Sequence, residues 1–563
     1  MNTSSPLIAA DLDTIYQKSP DYPEDAKARY RDAGLWTDMT LGNFLREGAR
    51  RFATRPAIVE GGTRWSYKAL DHEVDRLSFG LQSLGLLKGD RVVLQLANRA
   101  SMIMTTLACF RLGLLPVFAL PAHRSHELIH FCTASGARAL ITMADQVAGQ
   151  PDVDFRALAR RVIRACPGLE HVLIDGTPEE FTSLDSLYQD TPAVADWPAV
   201  TADELAFFQL SGGTTGLSKL IPRRHQDYLY SIRGSIEPCG INEHTVYLGA
   251  LPLAHNFPMS SPGFLGVLYA GGCVVMAPAP TPDHCFPLIE AEGVTHASLV
   301  PPLALLWLNS LPQYAHLDLS SLQVLQVGGA RFSAEAARRV RPELGCTLQQ
   351  VFGMAEGLVN YTRLDDDPET IVRTQGRPIS RLDEVRIVDA AGRPVPDGTP
   401  GLLETRGPYT IRGYFDAPAH NEASFTDEGF YRTGDVVSRT STGYLIVEGR
   451  DKDQINRGGE KISPEEVENL LLAHPEVHDV AVVGMTDAYL GERPCAFIVP
   501  RGDATPKAGE LAQYLKDTGL ATYKVPDRFR IVEAFPETRV GKVSRKVLRE
   551  QLKDTYATPH ASA

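Results

Sequence analysis

An alternation constrains this chain more than any other feature. Through the first two-thirds, short apolar runs of strand character are repeatedly followed by stretches with helical spacing. Asp90-Arg-Val-Val-Leu-Gln-Leu precedes a helical stretch from Ala100 to Leu112, which leads into Leu115-Pro-Val-Phe-Ala-Leu. Ala139-Leu-Ile-Thr, His171-Val-Leu-Ile-Asp and Gly272-Cys-Val-Val-Met repeat the pattern. The last leads into a helical stretch from Asp283 to Glu292 and a strand-like Thr295-His-Ala-Ser-Leu-Val. Strand, helix and strand in succession predict an α/β fold with largely parallel sheets, since a parallel pair needs a crossover and a helix usually supplies it.

From about Asp383 the pattern changes. Runs such as Glu384-Val-Arg-Ile-Val-Asp and Gly401-Leu-Leu-Glu-Thr-Arg are short and punctuated by Gly and Pro, which predicts a β-rich subdomain with hairpins. After Arg450 the polar segment Asp451-Lys-Asp-Gln-Ile-Asn-Arg-Gly-Gly-Glu-Lys reads as a linker, with a hinge near Asp451. Beyond it lie a helix near Pro464 to Ala473, strands at Val477 to Met485 and Ala496 to Val499, and a helix at Ala508 to Thr518. The expected organisation is a large N-terminal domain, residues 1–450, of layered α/β subdomains with the β-rich subdomain from about 383. A small, mobile α+β C-terminal domain, residues 451–563, is expected to follow. The length of 563 residues fits a chain of about two to four domains.

Composition excludes several classes of function. With 43% hydrophobic and 22% charged residues the chain is globular rather than disordered. A net charge of −13 argues against sequence-independent nucleic-acid binding, which needs basic surface to displace counterions. The N-terminus has no basic start followed by an apolar stretch, so it does not read as a secretory signal. The most apolar stretch, Met102 to Leu120, is broken by Arg111, Gly113 and Pro116 and reads as a buried helix and strand rather than a membrane span. The eight cysteines are scattered without a C-x-x-C pair, which suits buried thiols in a reducing compartment. A soluble, cytoplasmic protein with neither a membrane nor a nucleic-acid partner is expected.

Chemistry is concentrated in Leu210-Ser-Gly-Gly-Thr-Thr-Gly-Leu-Ser-Lys219. Gly212 and Gly213 let backbone N–H groups turn toward an anion. Ser211, Thr214 and Thr215 add hydroxyls, and Lys219 adds a compact positive charge for phosphate oxygens. The P-loop of kinases and ATPases needs Gly-Lys-Ser/Thr in direct succession, and here Leu217 and Ser218 separate Gly216 from Lys219. That motif is excluded.

The loop resembles instead the phosphate loop of the adenylate-forming superfamily: acyl-CoA synthetases, adenylation domains of peptide synthetases, and luciferases. The resemblance runs in the family's order from Trp65-Ser-Tyr to Lys542. It implies that an acid and ATP give an acyl-adenylate and pyrophosphate, and that the acyl group then passes to a thiol. It implies ATP contacts from Ser211, Gly212, Gly213, Thr214, Thr215, Gly216 and Lys219. Glu356, in Phe352-Gly-Met-Ala-Glu-Gly357, is implied as the carboxylate for Mg²⁺ bridging the ATP phosphates. Asp435, in Tyr431-Arg-Thr-Gly-Asp435, and Arg450 are implied at the ribose. Val327-Gly-Gly-Ala330 resembles the strand-end loop flanking adenine and the acyl group, with Gly329, Ala330 and Val351 as its contacts. Lys542, in Arg539-Val-Gly-Lys-Val-Ser, matches the catalytic lysine that bridges the acid's carboxylate and the α-phosphate and offsets their repulsion.

The segment Leu253-Ala-His-Asn-Phe-Pro-Met-Ser-Ser-Pro-Gly263 bears on the acid. Amino-acid-activating relatives place an aspartate where Asn256 stands. A neutral amide cannot balance a buried ammonium but can hydrogen-bond a phenol. This segment, with Gly353-Met-Ala-Glu-Gly-Leu-Val-Asn-Tyr-Thr-Arg and Gly449-Arg-Asp-Lys-Asp-Gln-Ile-Asn-Arg-Gly-Gly-Glu-Lys, resembles stand-alone aryl-acid AMP ligases that start catechol siderophores. The implied acid is 2,3-dihydroxybenzoate. Ser261 offers a partner and Val359 offers space for a 3-hydroxyl, whereas salicylate enzymes of the group carry a less polar and a bulkier residue there. His255 is expected at the pocket entrance and Phe257 along the ring. The resemblance also implies a separate phosphopantetheinylated aryl carrier protein, with Gly458 and Gly459 contacting its arm after the small domain turns about Asp451. Salicylate-AMP ligase is the near alternative. A benzoate-type acyl-CoA ligase, a luciferase-like oxygenase and a non-catalytic binding protein are remoter, and the last would be expected to lose Lys542, Glu356 or Asp435.

Overall fold

The structure is a computed structural model that describes residues 11–144, 153–190, 197–211, 217–329, 332, 334–450, 455–462, 464–536 and 545–554. These fall into two compact units. One is drawn from Met1–Pro121, Phe131–Ser211 and Lys219–Gly449, the other from Ala122–His130, Gly212–Ser218 and Arg450–Ala563.

The large unit is an α/β structure with three sheets. A nine-stranded sheet runs in the order Arg377–Pro378, Val359–Tyr361, Thr347–Gly353, Val324–Gly328, His296–Leu299, Val246–Gly249, Cys273–Met276, Pro56–Glu60 and Thr63–Ser66. Its six central strands, from Thr347–Gly353 to Pro56–Glu60, are parallel, so the loops leaving their C-terminal ends gather along one edge. Both faces are buried, and single strands show it. In Cys273–Met276, Val274 and Met276 join one apolar cluster while Cys273 and Val275 join another on the opposite face. Each such side chain contributes about 2 kcal/mol by leaving water. A seven-stranded sheet, from Thr182–Ser183 to Leu220–Arg224, repeats this plan. The helix Ala100–Leu112 lies buried but for half-buried Ser101, as its sequence predicts, and Gly113 caps it in the left-handed conformation.

The β-rich region from about 383 is a four-stranded antiparallel sheet of Glu384–Val388, Gly401–Arg406, Tyr431–Arg439 and Leu445–Arg450. Opposite Leu403 its third strand bulges: Leu402 pairs with Val436 and Glu404 with Arg432, so Thr433, Gly434 and Asp435 face a single residue.

The small unit is α+β. The long hairpin Val477–Asp487 and Gly491–Pro500 carries Val480 and Val482 on one face, packed against Val467, Leu471, Leu511 and Leu515 of helices Pro464–Leu472 and Ala508–Asp517. Ala481 and Val483 face the other way onto Leu548 and Leu552 of helix Arg545–Asp554. Two expectations need correction here. The strand expected at Ala496 to Val499 begins five residues earlier, because Gly491 to Cys495 pair along the hairpin despite their polarity. The segment expected to be a linker as far as Lys461 contains a second hairpin, Ile455–Arg457 with Glu460–Ile462. Gly458 and Gly459 turn it at φ of 61° and 94°, the left-handed pair a two-residue hairpin turn requires. Among the described residues no helix is long and apolar enough to cross a membrane, and the eight cysteines are buried and form no disulfide.

Candidate active site

The loop after strand Val246–Gly249, in the middle of the nine-stranded sheet, carries the candidate acid-binding residues. One side chain from another strand–helix junction holds that loop. Asn98 Nδ2 donates to the carbonyls of Gly249, Ala250 and Leu251 at 2.9, 3.2 and 2.9 Å, and its Oδ1 accepts from Leu253 N–H at 3.0 Å. The chain then enters the short helix Asn256–Ser260, which His255 caps with its side chain. Phe257 lies against the end of strand Val324–Gly328. A Cβ on Gly328 would sit 3.2 Å from Phe257 Cε1 and 2.9 Å from the Val351 carbonyl, so only glycine leaves room there. Phe257, Val351 and Val359 belong to one buried apolar cluster. Gly329 follows, exposed and at φ 86°.

Polar groups reach this cluster from behind. Tyr228, on helix His225–Ile236, donates its phenol proton to Asn256 Oδ1 at 2.9 Å. Ser261 is 3% exposed, and its hydroxyl lies near the Tyr361 phenol. Tyr361 donates to Ser235 Oγ at 3.0 Å, and Ser235 donates to the Ser231 carbonyl at 2.8 Å. The polarity of that row is fixed from its end. A carbonyl only accepts, so Ser235 and then Tyr361 must donate toward it, which leaves the Tyr361 oxygen as an acceptor. Val359 N–H donates to Tyr409 Oη at 3.0 Å, and Tyr409 donates to Asp383 Oδ2 at 2.7 Å. Burial pushes the Asp383 carboxyl up to about 7.

The charged nucleotide candidates among the described residues stand at a strand end, a turn and a bulge. Ser211 and Lys219 close the mouth of the loop between strands Leu205–Leu210 and Leu220–Arg224: Ser211 N–H donates to the Lys219 carbonyl and Lys219 N–H to Ser211 Oγ, both at 2.9 Å. Glu356 is 7% exposed, and its Oε1 accepts from Tyr414 Oη at 2.8 Å. Tyr414 lies 3.0 Å from Tyr431 Oη, at the start of the strand that carries Asp435. Burial, and then the Glu356 charge, drive the Tyr414 phenol well above its usual range. Glu356 Oε2 has no partner among the described residues. Asp435, 4% exposed, sits in the bulge, with its N–H donating to Thr433 Oγ1 at 3.0 Å. Arg450 ends the neighbouring strand. Gly212, Gly213, Thr214, Thr215, Gly216, Ala330, Asp451 and Lys542 lie outside the described residues.

Residues 45–415 match the AMP-binding enzyme family and residues 466–542 the AMP-binding enzyme C-terminal domain. The chain belongs to the AMP-binding enzymes. It is 56% identical to 2,3-dihydroxybenzoate-AMP ligase of Bacillus subtilis over 95% of this chain and 97% of that one. It is 53% identical to pyochelin synthase PchD of Pseudomonas aeruginosa over 98% of both. Among solved structures, the apo structure of MbtA from Mycobacterium smegmatis superposes with a TM-score of 0.75 at 42% identity, over 96% of this chain and 99% of that one.

Several residues of this AMP-binding enzyme's candidate site are not legible in its sequence. Asn98, Tyr228, Tyr361, Tyr409 and Asp383 act on pocket residues that lie far from them along the chain. Asn98 alone leaves a trace, as a polar residue placed between an apolar strand run and the start of a helix.

Proposed function

We propose that this enzyme adenylates 2,3-dihydroxybenzoate and passes the acyl group to the phosphopantetheine thiol of a separate aryl carrier protein. In the first step a carboxylate oxygen of the acid attacks the α-phosphorus of ATP and the bond to pyrophosphate breaks. The acid is already ionised at neutral pH, so no enzyme base is required. The observation that carries this reading is the neutral polar lining of the acid pocket. Asn256 offers an amide and no countercharge for an ammonium. Ser261 keeps lone pairs for a 3-hydroxyl that donates, and Val359 leaves space beside it. The 56% identity to a 2,3-dihydroxybenzoate-AMP ligase supports the same acid.

On the nucleotide side Ser211, Gly212, Gly213, Thr214, Thr215, Gly216 and Lys219 hold the phosphates, and Asp435 with Arg450 holds the ribose. Gly329, Ala330 and Val351 flank the adenine and the acyl group, and His255 and Phe257 border the ring. Glu356 suits Mg²⁺: one oxygen is held by Tyr414, the other has no partner among the described residues, and a single carboxylate completed by water and phosphate oxygens is ordinary magnesium coordination. Bound there, Mg²⁺ offsets negative charge on the phosphates. Lys542 stands between carboxylate and α-phosphate as charge develops. For transfer, the C-terminal domain turns about Asp451 and the Gly458–Gly459 turn meets the pantetheine arm.

Pyrophosphate exchange across a panel of aryl and amino acids tests the reading. The highest kcat/KM is expected with 2,3-dihydroxybenzoate. A preference for salicylate moves the assignment to that acid, and exchange with amino acids alone overturns it.

A further inference from the structure

Asn256 has two faces to offer, a carbonyl oxygen and an NH₂ group, and a substrate with a polar ortho group meets one of them. Which one is decided behind the pocket. The Tyr228 phenol donates to Asn256 Oδ1 at 2.9 Å, and Nδ2 has no partner among the described residues. Tyr228 is 1% exposed, so bulk water does not compete for its hydroxyl. Its other polar neighbours are the Ser260 hydroxyl and the Gln209 side chain. Among the described residues only Asn256 Oδ1 is an acceptor in hydrogen-bond geometry with the phenol. Ser260 gives its own proton to the Asn256 backbone carbonyl at 3.3 Å, and Gln209 turns its NH₂ group toward the Ala254 carbonyl and Met259 Sδ, 3.5 Å from each. The ring is held as firmly, edge-on to Phe207 with centroids 4.6 Å apart and beneath the Arg223 guanidinium.

We infer that Tyr228 is a positioning residue that locks the Asn256 amide with its N–H groups toward the acid, and so selects an ortho substituent that accepts a hydrogen bond over one that donates. This rests on the aryl-acid reading above and deepens it. The chemistry of ortho-substituted benzoates gives the selection its sign. An ortho hydroxyl donates its only proton to the neighbouring carboxylate, which leaves its oxygen facing outward purely as an acceptor. An ortho amino group also donates one proton inward, but it keeps a second N–H pointing outward while its lone pair is drawn into the ring. Against the Asn256 N–H the first makes a hydrogen bond and the second sets donor against donor. A buried donor left unpaired costs its desolvation, so discrimination follows from polarity with little change in shape.

The test compares kcat/KM for 2-hydroxybenzoate and 2-aminobenzoate in pyrophosphate exchange; both lack a 3-substituent, so Ser261 and Val359 cancel from the ratio. Wild-type enzyme should prefer the hydroxy acid by about a hundredfold, the upper cost of leaving one buried donor unpaired. Tyr228→Phe keeps the ring contacts and frees the amide to turn, and should lower the ratio at least roughly tenfold while the KM for ATP stays unchanged. Asn256→Asp, which has no N–H to offer, should invert the ratio with Tyr228 in place. In an Asn256→Ala background, Tyr228→Phe should leave the ratio where the first change put it. A wild-type ratio near one overturns the inference. So does a Tyr228→Phe enzyme in which both acids fall together, an Asn256→Asp enzyme that keeps the hydroxy preference, or an effect of Tyr228→Phe that survives without Asn256. Loss of exchange with every ortho-hydroxylated acid sinks the aryl-acid reading itself, and this inference with it.

Discussion

The two sides of the candidate site are built on different principles. On the proposed acid side the candidate groups are neutral, and buried partners on other elements stand behind them: Tyr228 behind Asn256, Tyr361 near Ser261, Tyr409 behind the Val359 backbone. On the proposed nucleotide side the candidate groups are charges: Lys219, Glu356 and Asp435 stand at a strand end, a turn and a bulge, and Lys542 joins them in the proposal. Neutral hydrogen bonds read shape and polarity over short distances, whereas charges act on phosphates whatever acid is bound. Changes on the nucleotide side should therefore slow every acid alike, and changes on the acid side should move the ratio between acids.

The largest test of that division is Lys542→Ala, which should lower pyrophosphate exchange by at least roughly a hundredfold with every acid, as for loss of a major transition-state contact. Near-normal exchange, or a loss confined to one acid, would break the comparison at its strongest point. Replacing Ser261 with Cys and Val359 with Leu should do the reverse, lowering the 2,3-dihydroxybenzoate to salicylate ratio by about tenfold while the KM for ATP holds. A ratio that ignores both changes would mean that shape elsewhere chooses the acid. Tyr414→Phe removes the hydrogen bond that orients Glu356 and should raise the Mg²⁺ concentration for half-maximal exchange by about tenfold, equally for both acids. Metal titration of exchange reads it directly. Asp451→Pro fixes φ at the proposed hinge and should leave exchange largely intact while slowing acyl transfer to the carrier protein. Equal losses in both steps would take the hinge away from Asp451.

The smallest effect concerns stability. In the folded chain burial raises the Asp383 carboxyl to about 7 from an ordinary 3.8. Between those values the folded form holds the proton and the unfolded form releases it, so this group's contribution to stability falls as pH rises through that window. Asp383→Asn removes the slope. Its melting midpoint relative to wild type should be higher by a few degrees at about pH 8 than at about pH 5. A difference independent of pH would show that Asp383 stays charged throughout.

Much of the framework is legible because its signals are local. Helix Ala100–Leu112 and strands His171–Asp175 and Gly401–Arg406 have the limits their sequence predicts, since apolar runs there end at Gly, Pro or charged residues. The hairpin Ile455–Arg457 with Glu460–Ile462 is hidden because its strands are short and largely polar, and its pairing partner, Gly491, lies over thirty residues away. The site divides in the same way. Gly-Gly-Thr-Thr and Tyr-Arg-Thr-Gly-Asp carry their chemistry in consecutive residues. Tyr228 and Tyr361 are two among nineteen tyrosines, and nothing beside them in the chain marks them as partners of Asn256 and Ser261. Such pairings are created only when the fold brings distant elements together.

Asn98 holds four backbone groups of the segment Gly249–Leu253 from outside the pocket. The main chain that presents His255, Asn256 and Phe257 is thereby fixed by a residue that need not change when the acid changes. Such a scaffold separates heredity into two parts, one codon that keeps the loop in shape and a few that choose the ligand. A lineage can then acquire a new acid through single substitutions at positions such as Ser261, without passing through an ancestor whose loop has come apart.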